Sequence, residues 1–290
     1  MADKEAYSLL AQAHKKAKAG PGGLFAMFAG SSQEESADLY ARAGNAFKLA
    51  KKWKEAGDAY MLQASTLMKM NEPDEASSAF MNAAKAYKKE FPSEAVSAFQ
   101  QSTAALVSKG RFHAAAGNEK SIAEIYETEL ADQQKAMESY DRAADYYLGE
   151  DQPQAANQCL LKVANLAAEL GNYSKATEKY EQVAEQSANN AMTRFSLRTY
   201  FLNAGLCHLA SGDYVKTGMA LEKYLHMDVS FSDTREYLLL KTLLDCVEQQ
   251  DAEEFTNAVA DFDKLTRLDA LKTKLLLKVK KAIGESESIT

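Results

Sequence analysis

The chain has 290 residues, of which 41 are acidic and 34 are basic, giving a formal net charge of −7. This length lies near the limit of about 250–300 residues for one hydrophobic core, so we expect two domains or an architecture without a single core. Helix-forming residues dominate, β-branched runs are absent, and the acidic balance argues against a general nucleic-acid-binding protein.

The first predicted element is a charged helix that ends at Gly20, and its sequence does not fit the pattern of a secretory signal peptide. The stretch that follows, PGGLFAMFAG at residues 21–30, carries no charge. We interpret residues 20–31 as an apolar loop. The next helix is expected to open at Ser31 and Ser32, whose hydroxyls are suited to an N-cap. The loop has four large apolar side chains, Leu24, Phe25, Met27 and Phe28.

A repeat of about twenty residues follows, the length of one helix and a turn. In each copy an alanine is followed four positions later by an aromatic residue. Residues i and i+4 share one helix face, so the alanine lets a neighbouring helix approach while the ring fills the space beside it. The complete pairs are Ala56/Tyr60, Ala76/Phe80, Ala95/Phe99, Ala136/Tyr140 and Ala176/Tyr180, and the weaker copies are Ala115/Glu119, Ala156/Leu160 and Thr217/Leu221.

Proline positions support this reading. Pro73, Pro92 and Pro153 each stand just before a repeat alanine, where proline fits the first turn of a helix. Two helices make a unit of about forty residues, which resembles a tetratricopeptide repeat but is longer than the usual length of about 34. The sequence therefore predicts an all-α protein in which residues 1–226 form a right-handed twisted solenoid of antiparallel helix pairs.

The repeat pattern fades after residue 226, and residues 227–283 predict longer helices in a C-terminal helical bundle that caps the solenoid. Near its end, Leu268, Leu271, Leu275, Val279 and Ile283 form one apolar stripe among lysines. A basic amphipathic helix of this kind could lie on a membrane, but we favour packing against the acidic segment 245–263. Residues 284–290, GESESIT, are expected to be a flexible acidic tail.

No motif in the chain points to catalysis. The four histidines, His14, His113, His208 and His226, lack metal-ligand spacing, and the three cysteines contain no CxxC pair, which fits a reducing compartment. The segment GNAFKLAK lacks the second glycine and the Ser/Thr of a phosphate-binding loop. No apolar run approaches the length of about 18 residues needed to span a membrane. We expect a cytoplasmic protein that is not an enzyme and needs no metal or cofactor.

Several longer motifs resemble the soluble NSF attachment proteins, the α-SNAP family. The most specific are GRFHAAAGNEKSIAEIYETEL at 110–130 and NQCLLKVANLAA at 157–168, followed by YFLNAGLCHLASGD at 200–213 and FSDTRE at 231–236. The resemblance runs in order along essentially the whole chain. It implies an adaptor, monomeric in solution, of which several copies bind the four-helix SNARE bundle after membrane fusion. The adaptor recruits and stimulates the hexameric ATPase NSF, which separates the SNAREs.

The resemblance also implies a concave, basic surface that faces the acidic SNARE bundle. Its candidates in this chain are Lys120, Lys162, Arg198 and Arg235, and complementary charge of this kind steers and orients docking. Two positions depart from the family. Gly117 and Gln158 stand where relatives often have basic residues, so we expect the basic patch to be weaker or shifted here.

Two further contacts follow from the resemblance. The family's apolar N-terminal loop touches the bilayer, which assigns a membrane contact to Leu24, Phe25, Met27 and Phe28. A phenylalanine that enters the interface gains about 2 kcal/mol, so the association is expected to be peripheral and reversible. The family's acidic tail helps to stimulate the ATPase, which assigns that role to Glu285, Glu287 and Ile289, the last in place of the usual leucine.

The repeat pattern alone leaves one alternative function open, a generic tetratricopeptide-like scaffold that binds linear peptides in a concave groove. Such a scaffold has no need of the apolar loop or of the tail. Binding of a folded helical bundle rather than an extended peptide distinguishes the two functions.

Overall fold

The computed structural model describes residues 2–18, 29–188 and 193–287, with side chains described for residues 3–18, 32–188 and 193–283. These residues form fourteen α-helices and no β-strand, which confirms the all-α prediction. The helices are α1 Ala2–Lys18, α2 Ala29–Leu49, α3 Trp53–Lys69, α4 Pro73–Tyr87, α5 Pro92–Ser108, α6 Phe112–Thr128, α7 Gln133–Gly149, α8 Pro153–Glu169, α9 Tyr173–Ala188, α10 Leu197–Ser211, α11 Tyr214–Met227, α12 Arg235–Gln249, α13 Ala252–Leu265 and α14 Ala270–Glu287.

The chain divides into two compact units, Met1–Ala156 and Asn157–Thr290, and the division falls inside α8. In the first unit each helix from α1 to α7 packs on the next one along the chain. In the second, α10 packs on α9, α11, α12 and α14. This central position explains why α10 buries apolar residues on all sides instead of showing one apolar stripe. The predicted boundary at residue 226, where the repeat pattern fades, stays a prediction.

Six of the turns between the described helices share one hydrogen-bonded form. A residue with positive φ ends the helix, and the next amide donates to a carbonyl five residues earlier, as in a Schellman motif. Lys51, Asn71 and Asp151 adopt this conformation without being glycine. The amide bonds are Lys52 to Phe47, Glu72 to Leu67, Arg111 to Leu106, Gln152 to Tyr147, Asn172 to Ala167 and Asp251 to Cys246. Because the sharp turn leaves little slack, successive helices lie antiparallel and close together.

The predicted alanine–aromatic pairs form the core. All ten side chains of the five complete pairs are buried, and Pro73, Pro92 and Pro153 open α4, α5 and α8 as predicted. The tyrosines among the pairs also place their hydroxyls on a neighbouring helix. Tyr60 donates to Asn45 Oδ1 at 2.7 Å and Tyr140 donates to Glu127 Oε2 at 2.8 Å. The rings therefore bury apolar area without leaving an unpaired hydroxyl.

Two glycines on α2 and α3 allow the rings to pack closely. A Cβ atom on Gly44 would lie 2.7 Å from the ring of Tyr60, and one on Gly57 would lie 2.3 Å from the ring of Tyr87. The glycine in GNAFKLAK thus serves helix packing. Both tyrosines are buried and hydrogen-bonded, Tyr87 to Asp58 at 2.6 Å, so their rings have little freedom to move aside.

We expect Gly57→Ala to lower the free energy of unfolding by about 1–3 kcal/mol, because the new methyl group overlaps the Tyr87 ring. Gly117→Ala is the matched control, since Gly117 lies inside α6 with no neighbouring atom within 4 Å of its would-be Cβ. That change should stabilise the protein by about 0.5–1 kcal/mol through helix propensity. Urea denaturation of both variants measures the difference, and destabilisation of equal size in both would contradict this packing argument.

Two expectations about helix ends are wrong. The helix α2 begins at Ala29 rather than at Ser31 and Ser32, and Ser32 Oγ donates instead to the Lys16 carbonyl of α1 at 3.0 Å. A helix-start signal is local, whereas this serine finds its acceptor on another helix. At the other end, α14 continues to Glu287, past residue 283 where the bundle was expected to end. Leu275, Val279 and Ile283 are buried, which confirms that this stripe packs inside the protein.

Candidate partner-binding surfaces

The described residues contain no cluster of metal-ligating side chains. No set of three or more His, Cys, Asp or Glu side chains among them is arranged to hold a metal ion. The cysteines Cys159, Cys207 and Cys246 are buried, and burial raises the pKa of the Cys207 thiol to about 12. A thiol with such a pKa stays protonated at neutral pH and is a poor nucleophile. The surfaces that remain are suited to docking.

Three of the predicted SNARE-binding residues lie in the unit Asn157–Thr290. Lys162 is exposed on α8. Arg198 begins the first turn of α10, is 59% exposed, and places Nε 4.0 Å from Glu236 Oε1 on α12. At this distance and exposure the ion pair is weak, so the Arg198 guanidinium can turn towards a partner at little cost.

Arg235 has a structural role that the sequence did not predict. Its guanidinium donates to Thr266 Oγ1 at 2.8 Å and to the Phe262 carbonyl at 3.4 Å, and lies 5.4 Å from the centroid of the Phe262 ring. The side chain thus closes the C-terminal end of α13, where a cation also complements the helix dipole. Contact of Arg235 with a partner stays a prediction, and a substitution there would disturb the bundle as well.

An exposed apolar pair lies beside these basic residues and was missed by the sequence reasoning. Phe195 is in the 3₁₀ turn Arg194–Ser196 before α10, and Val229 opens the 3₁₀ turn Val229–Asp233 before α12. They are 74% and 77% exposed. Arg194 and Asp228 join the two turns by an ion pair of 3.2 Å. The sequence signals them only weakly: Phe195 in RFS and Val229 in DVSF are large apolar residues that do not belong to the apolar stripe of a predicted helix.

In the unit Met1–Ala156, Lys120 is partly exposed on α6, one turn after Gly117. The same helix carries a buried carboxylate, Glu119, in the position that an aromatic ring occupies in complete repeats. Burial raises the pKa of Glu119, while Arg142 on α7, whose Nε donates to it at 2.9 Å, lowers it. Because the carboxylate needs Arg142 as a partner, Arg142 is occupied in the structure and is not counted among the docking residues.

A partly buried ionic cluster holds α9, α10 and α11 together. Glu181 accepts hydrogen bonds from Lys223 and Tyr224, each at 2.7 Å, and lies 3.3 Å from His208 Nε2. Burial raises the pKa of Glu181, but the hydrogen bonds from His208, Lys223 and Tyr224 outweigh it and bring the pKa down to about 2. The ionised form of Glu181 is therefore part of the stable fold of this unit.

This cluster predicts a loss of stability in acid. A carboxylate whose pKa falls on folding contributes stability above its unfolded pKa, and this contribution disappears as the pH falls towards about 2. We expect Glu181→Gln to cost about 2–3 kcal/mol at pH 7 and to show less additional loss between pH 4.5 and pH 2 than the unchanged chain. Glu185→Gln is the control, because Glu185 contacts the same Lys223 but is 56% exposed. Urea denaturation across this pH range measures both, and an unchanged acid limb in Glu181→Gln would refute the assignment.

The predicted membrane and ATPase contacts lie largely outside the described residues. Leu24, Phe25, Met27, Phe28 and Ile289 are not described, and Glu285 and Glu287 are described only as part of the backbone of α14. None of the described helices is both long enough and apolar enough to cross a membrane.

The two helices that flank the apolar segment are joined to each other. Ser36 Oγ donates to the Ala13 carbonyl at 3.0 Å, Tyr40 Oη lies 3.0 Å from His14 Nδ1, and Lys16 forms an ion pair with Glu35. The ends of the apolar segment are therefore held by a packed helix pair. Lys16 is engaged in that pair and is less available to an anionic surface.

A fold of packed antiparallel helices built from a repeated alanine–aromatic pattern defines a helical-repeat protein. Comparison with known proteins identifies the family. The model of the soluble NSF attachment protein family, SNAP, matches residues 4–284, and the chain belongs to this family.

Named relatives match over nearly their full lengths. The chain is 42% identical to the beta-soluble NSF attachment protein of Bos taurus over 98% of this chain and 96% of the relative. It is 41% identical to the alpha-soluble NSF attachment protein of Mus musculus over 98% and 97%. It is also 43% identical to the vesicular-fusion protein SEC17 of Coprinopsis cinerea over the whole of both chains.

Proposed function

We propose that this chain is an adaptor that binds assembled SNARE complexes and recruits and stimulates the NSF-type ATPase, so that the SNAREs are separated after membrane fusion. The observation that carries this proposal is the match with soluble NSF attachment proteins and with vesicular-fusion proteins along the whole chain. Attachment to NSF and a role in vesicle fusion are stated in the names of those relatives. The chain would act at the cytoplasmic surface of membranes and perform no chemistry itself.

The described surfaces support a docking role. Arg198 is 59% exposed and stands three residues after Phe195, whose ring is exposed, so a cationic and an apolar side chain are neighbours along the chain. Arg194, on the other side of Phe195, is paired with Asp228 and is not counted among the docking residues. A SNARE bundle with acidic side chains suits such a surface, because basic groups steer the encounter while an aromatic residue supplies buried area. Lys162 would add a cation to the surface of the unit Asn157–Thr290, and Lys120 would supply one on the unit Met1–Ala156.

The proposal is tested by reconstituting SNARE complex, NSF-type ATPase and ATP with and without this protein, and following release of the individual SNAREs. We expect release, and ATP turnover, to depend on the added chain. Absence of stimulation at saturating protein would refute the proposal. Binding of an extended peptide, with no binding of the folded bundle, would favour the generic peptide scaffold.

The tail gives a separate prediction. Ile289→Ala removes most of the apolar side chain next to the last residue, so it should lower stimulation of the ATPase several-fold and leave binding to the SNARE complex unchanged. Thr290→Ala is the matched control, since it changes the neighbouring residue without removing a large aliphatic group. ATP turnover and pull-down of the SNARE complex measure the two effects. Full stimulation by Ile289→Ala would show that the tail has no such role.

A further inference from the structure

One face of α14 remains free after the helix has packed. Leu275, Leu276, Val279 and Ile283 point inward and are buried. The other face carries Lys274, Lys278 and Lys281, and Leu277 lies at its border, 55% exposed and also in contact with the cleft between α13 and α14. We call these four residues the α14 ridge. Among the side chains that the structure describes, none of these lysines lies within ion-pair distance of a carboxylate.

Two of the ridge lysines are held by neighbouring groups. Lys274 Nζ donates to the Glu169 carbonyl at 2.8 Å, and Lys278 Nζ lies 4.5 Å from the centroid of the Tyr173 ring. Neither contact neutralises the positive charge. The ridge is therefore a row of three cations, two of them held in place, beside one exposed leucine, and a partner with the opposite charge pattern would suit it.

A surface with that opposite pattern lies on the same unit. An open groove of about 390 Å³ runs between α12 and α13, and Leu238 and Leu265, at 55% and 75% exposure, form its apolar edges. Glu254 and Asp261 lie along the α13 side of this α12–α13 groove. At one end of the groove is Arg235, whose guanidinium is already bound at the end of α13.

The spacing of charge and apolar residues is the same on the two surfaces. Glu254 and Asp261 are seven residues apart on α13, and Lys274 and Lys281 are seven residues apart on α14, a rise of about 10.5 Å in each helix. Leu277 stands between the two lysines, and the small Ala258 stands between the two acids. Asp261 already lies 2.7 Å from Lys264 Nζ, but this ion pair is within one helix and fully on the surface, so it is weak and can be exchanged. A ridge laid along the groove would pair with Glu254 and replace Lys264 at Asp261, while Leu277 covers Ala258 and the groove leucines.

The two surfaces of one molecule are turned away from each other. On α13, residues 254, 258, 261 and 265 form the stripe that lines the groove, while Thr256 and Val259 lie on the opposite side and face Leu276 and Leu277 of α14. A ridge therefore cannot enter the groove of its own chain. A second copy can supply it, in a heterologous head-to-tail contact.

We propose that the α14 ridge of one copy binds the α12–α13 groove of a second copy. One helix face buries too little area for a stable dimer, so dilute chains stay monomeric. The contact forms when copies are held side by side, where the effective concentration is high. Because the ridge of one copy binds the groove of the next, this contact would arrange neighbouring copies head to tail.

The test holds chains side by side without SNAREs or ATPase. Donor- and acceptor-labelled chains are attached by an N-terminal histidine tag to neutral vesicles with nickel-chelating lipid, and energy transfer is measured against chain density. We expect transfer above the level of random proximity for the unchanged chain. Lys274→Glu with Lys281→Glu, the ridge variant, and Glu254→Lys with Asp261→Lys, the groove variant, should each reduce that excess at least threefold. Lys85→Glu with Lys89→Glu, exposed on the other unit, should not.

An equal mixture of the ridge and groove variants gives the decisive result. The acidic ridge of one variant matches the basic groove of the other, so the excess transfer should return. Attraction between oppositely charged proteins does not explain such a recovery, because both variants keep a negative net charge. The starting charge of −7 becomes −11 in the ridge variant (−7 − 4) and −3 in the groove variant (−7 + 4). A misfolded variant would not be rescued. The proposal is wrong if the unchanged chain shows no excess transfer, or if the mixture does not recover it. It is also wrong if the ridge variant keeps the excess transfer on neutral vesicles and loses only its binding to anionic vesicles.

Discussion

Reversal of charge at Lys162 and Arg198 together is expected to weaken binding to an assembled SNARE complex by about ten- to a hundredfold. Each change replaces an attraction with a repulsion of about 1 kcal/mol at an exposed site. Arg198→Glu also places a second carboxylate beside Glu236, which now lies 4.0 Å from the Arg198 Nε. Arg235 is left unchanged in this variant because its guanidinium holds the end of α13. Affinity for a soluble SNARE complex is measured at two salt concentrations.

The matched control for this charge reversal is Lys85→Glu with Lys89→Glu, which changes the net charge equally at exposed positions of the unit Met1–Ala156. It should bind nearly as well as the unchanged chain. The unfolding midpoint of the control should match that of the unchanged chain, since both of its lysines are exposed, and Arg198→Glu should lower the midpoint only slightly through its repulsion with Glu236. Equal weakening by the control would mean that net charge alone governs binding and that Lys162 and Arg198 have no special place.

The converse change is Gly117→Lys on α6. A lysine fits there without collision, because no atom lies within 4 Å of the would-be Cβ, and helix propensity favours it over glycine. It would stand one turn from Lys120 and supply a cation where the family resemblance predicts a basic residue. We expect SNARE binding to become about threefold tighter and the protein to become slightly more stable. Weaker binding would place this helix face away from the acidic partner.

The sequence predicted the local features of the fold well. An alanine and an aromatic residue four positions apart belong to one helix face, so the burial of Ala56/Tyr60 or Ala176/Tyr180 follows from periodicity within one element. The prolines that open α4, α5 and α8 are read in the same way. Such signals are repeated many times along the chain, and each copy supports the others.

Contacts between distant residues could not be read from the sequence. Arg235 reaches Thr266 across 31 residues, and Arg194 meets Asp228 across 34. These pairs depend on how α10, α12 and α13 pack, and the distance between the partners along the chain does not predict them. The same holds for Ser32, which looked like a helix cap and bonds instead to α1. The family resemblance named basic residues for docking, but only packing shows that Arg198 is exposed while Arg235 is engaged.

Replacing Phe25 and Phe28 by serine is expected to impair disassembly of membrane-anchored SNARE complexes while leaving disassembly of soluble SNARE complexes unchanged. Burial of each ring in the interfacial region of a bilayer is worth about 2 kcal/mol, so the double change should lower liposome binding by about a hundredfold or more. The proposed function places several adaptor copies on one membrane-anchored complex, so the loss would be multiplied there, and disassembly of anchored SNARE complexes should slow by at least tenfold. Soluble complexes, which need no membrane contact, should be disassembled at the normal rate.

Leu49→Ser is the matched control for this double variant. Leu49 ends α2, is 82% exposed, and is an apolar residue outside the loop, so its loss should leave liposome binding unchanged. The helices α1 and α2 are joined by Ser32, Ser36 and Tyr40, so serine at residues 25 and 28 leaves those bonds in place and the unfolding midpoint should not move. If the double variant loses activity equally on soluble and anchored complexes, the segment is a structural part of the docking surface, and the membrane contact assigned to it is wrong.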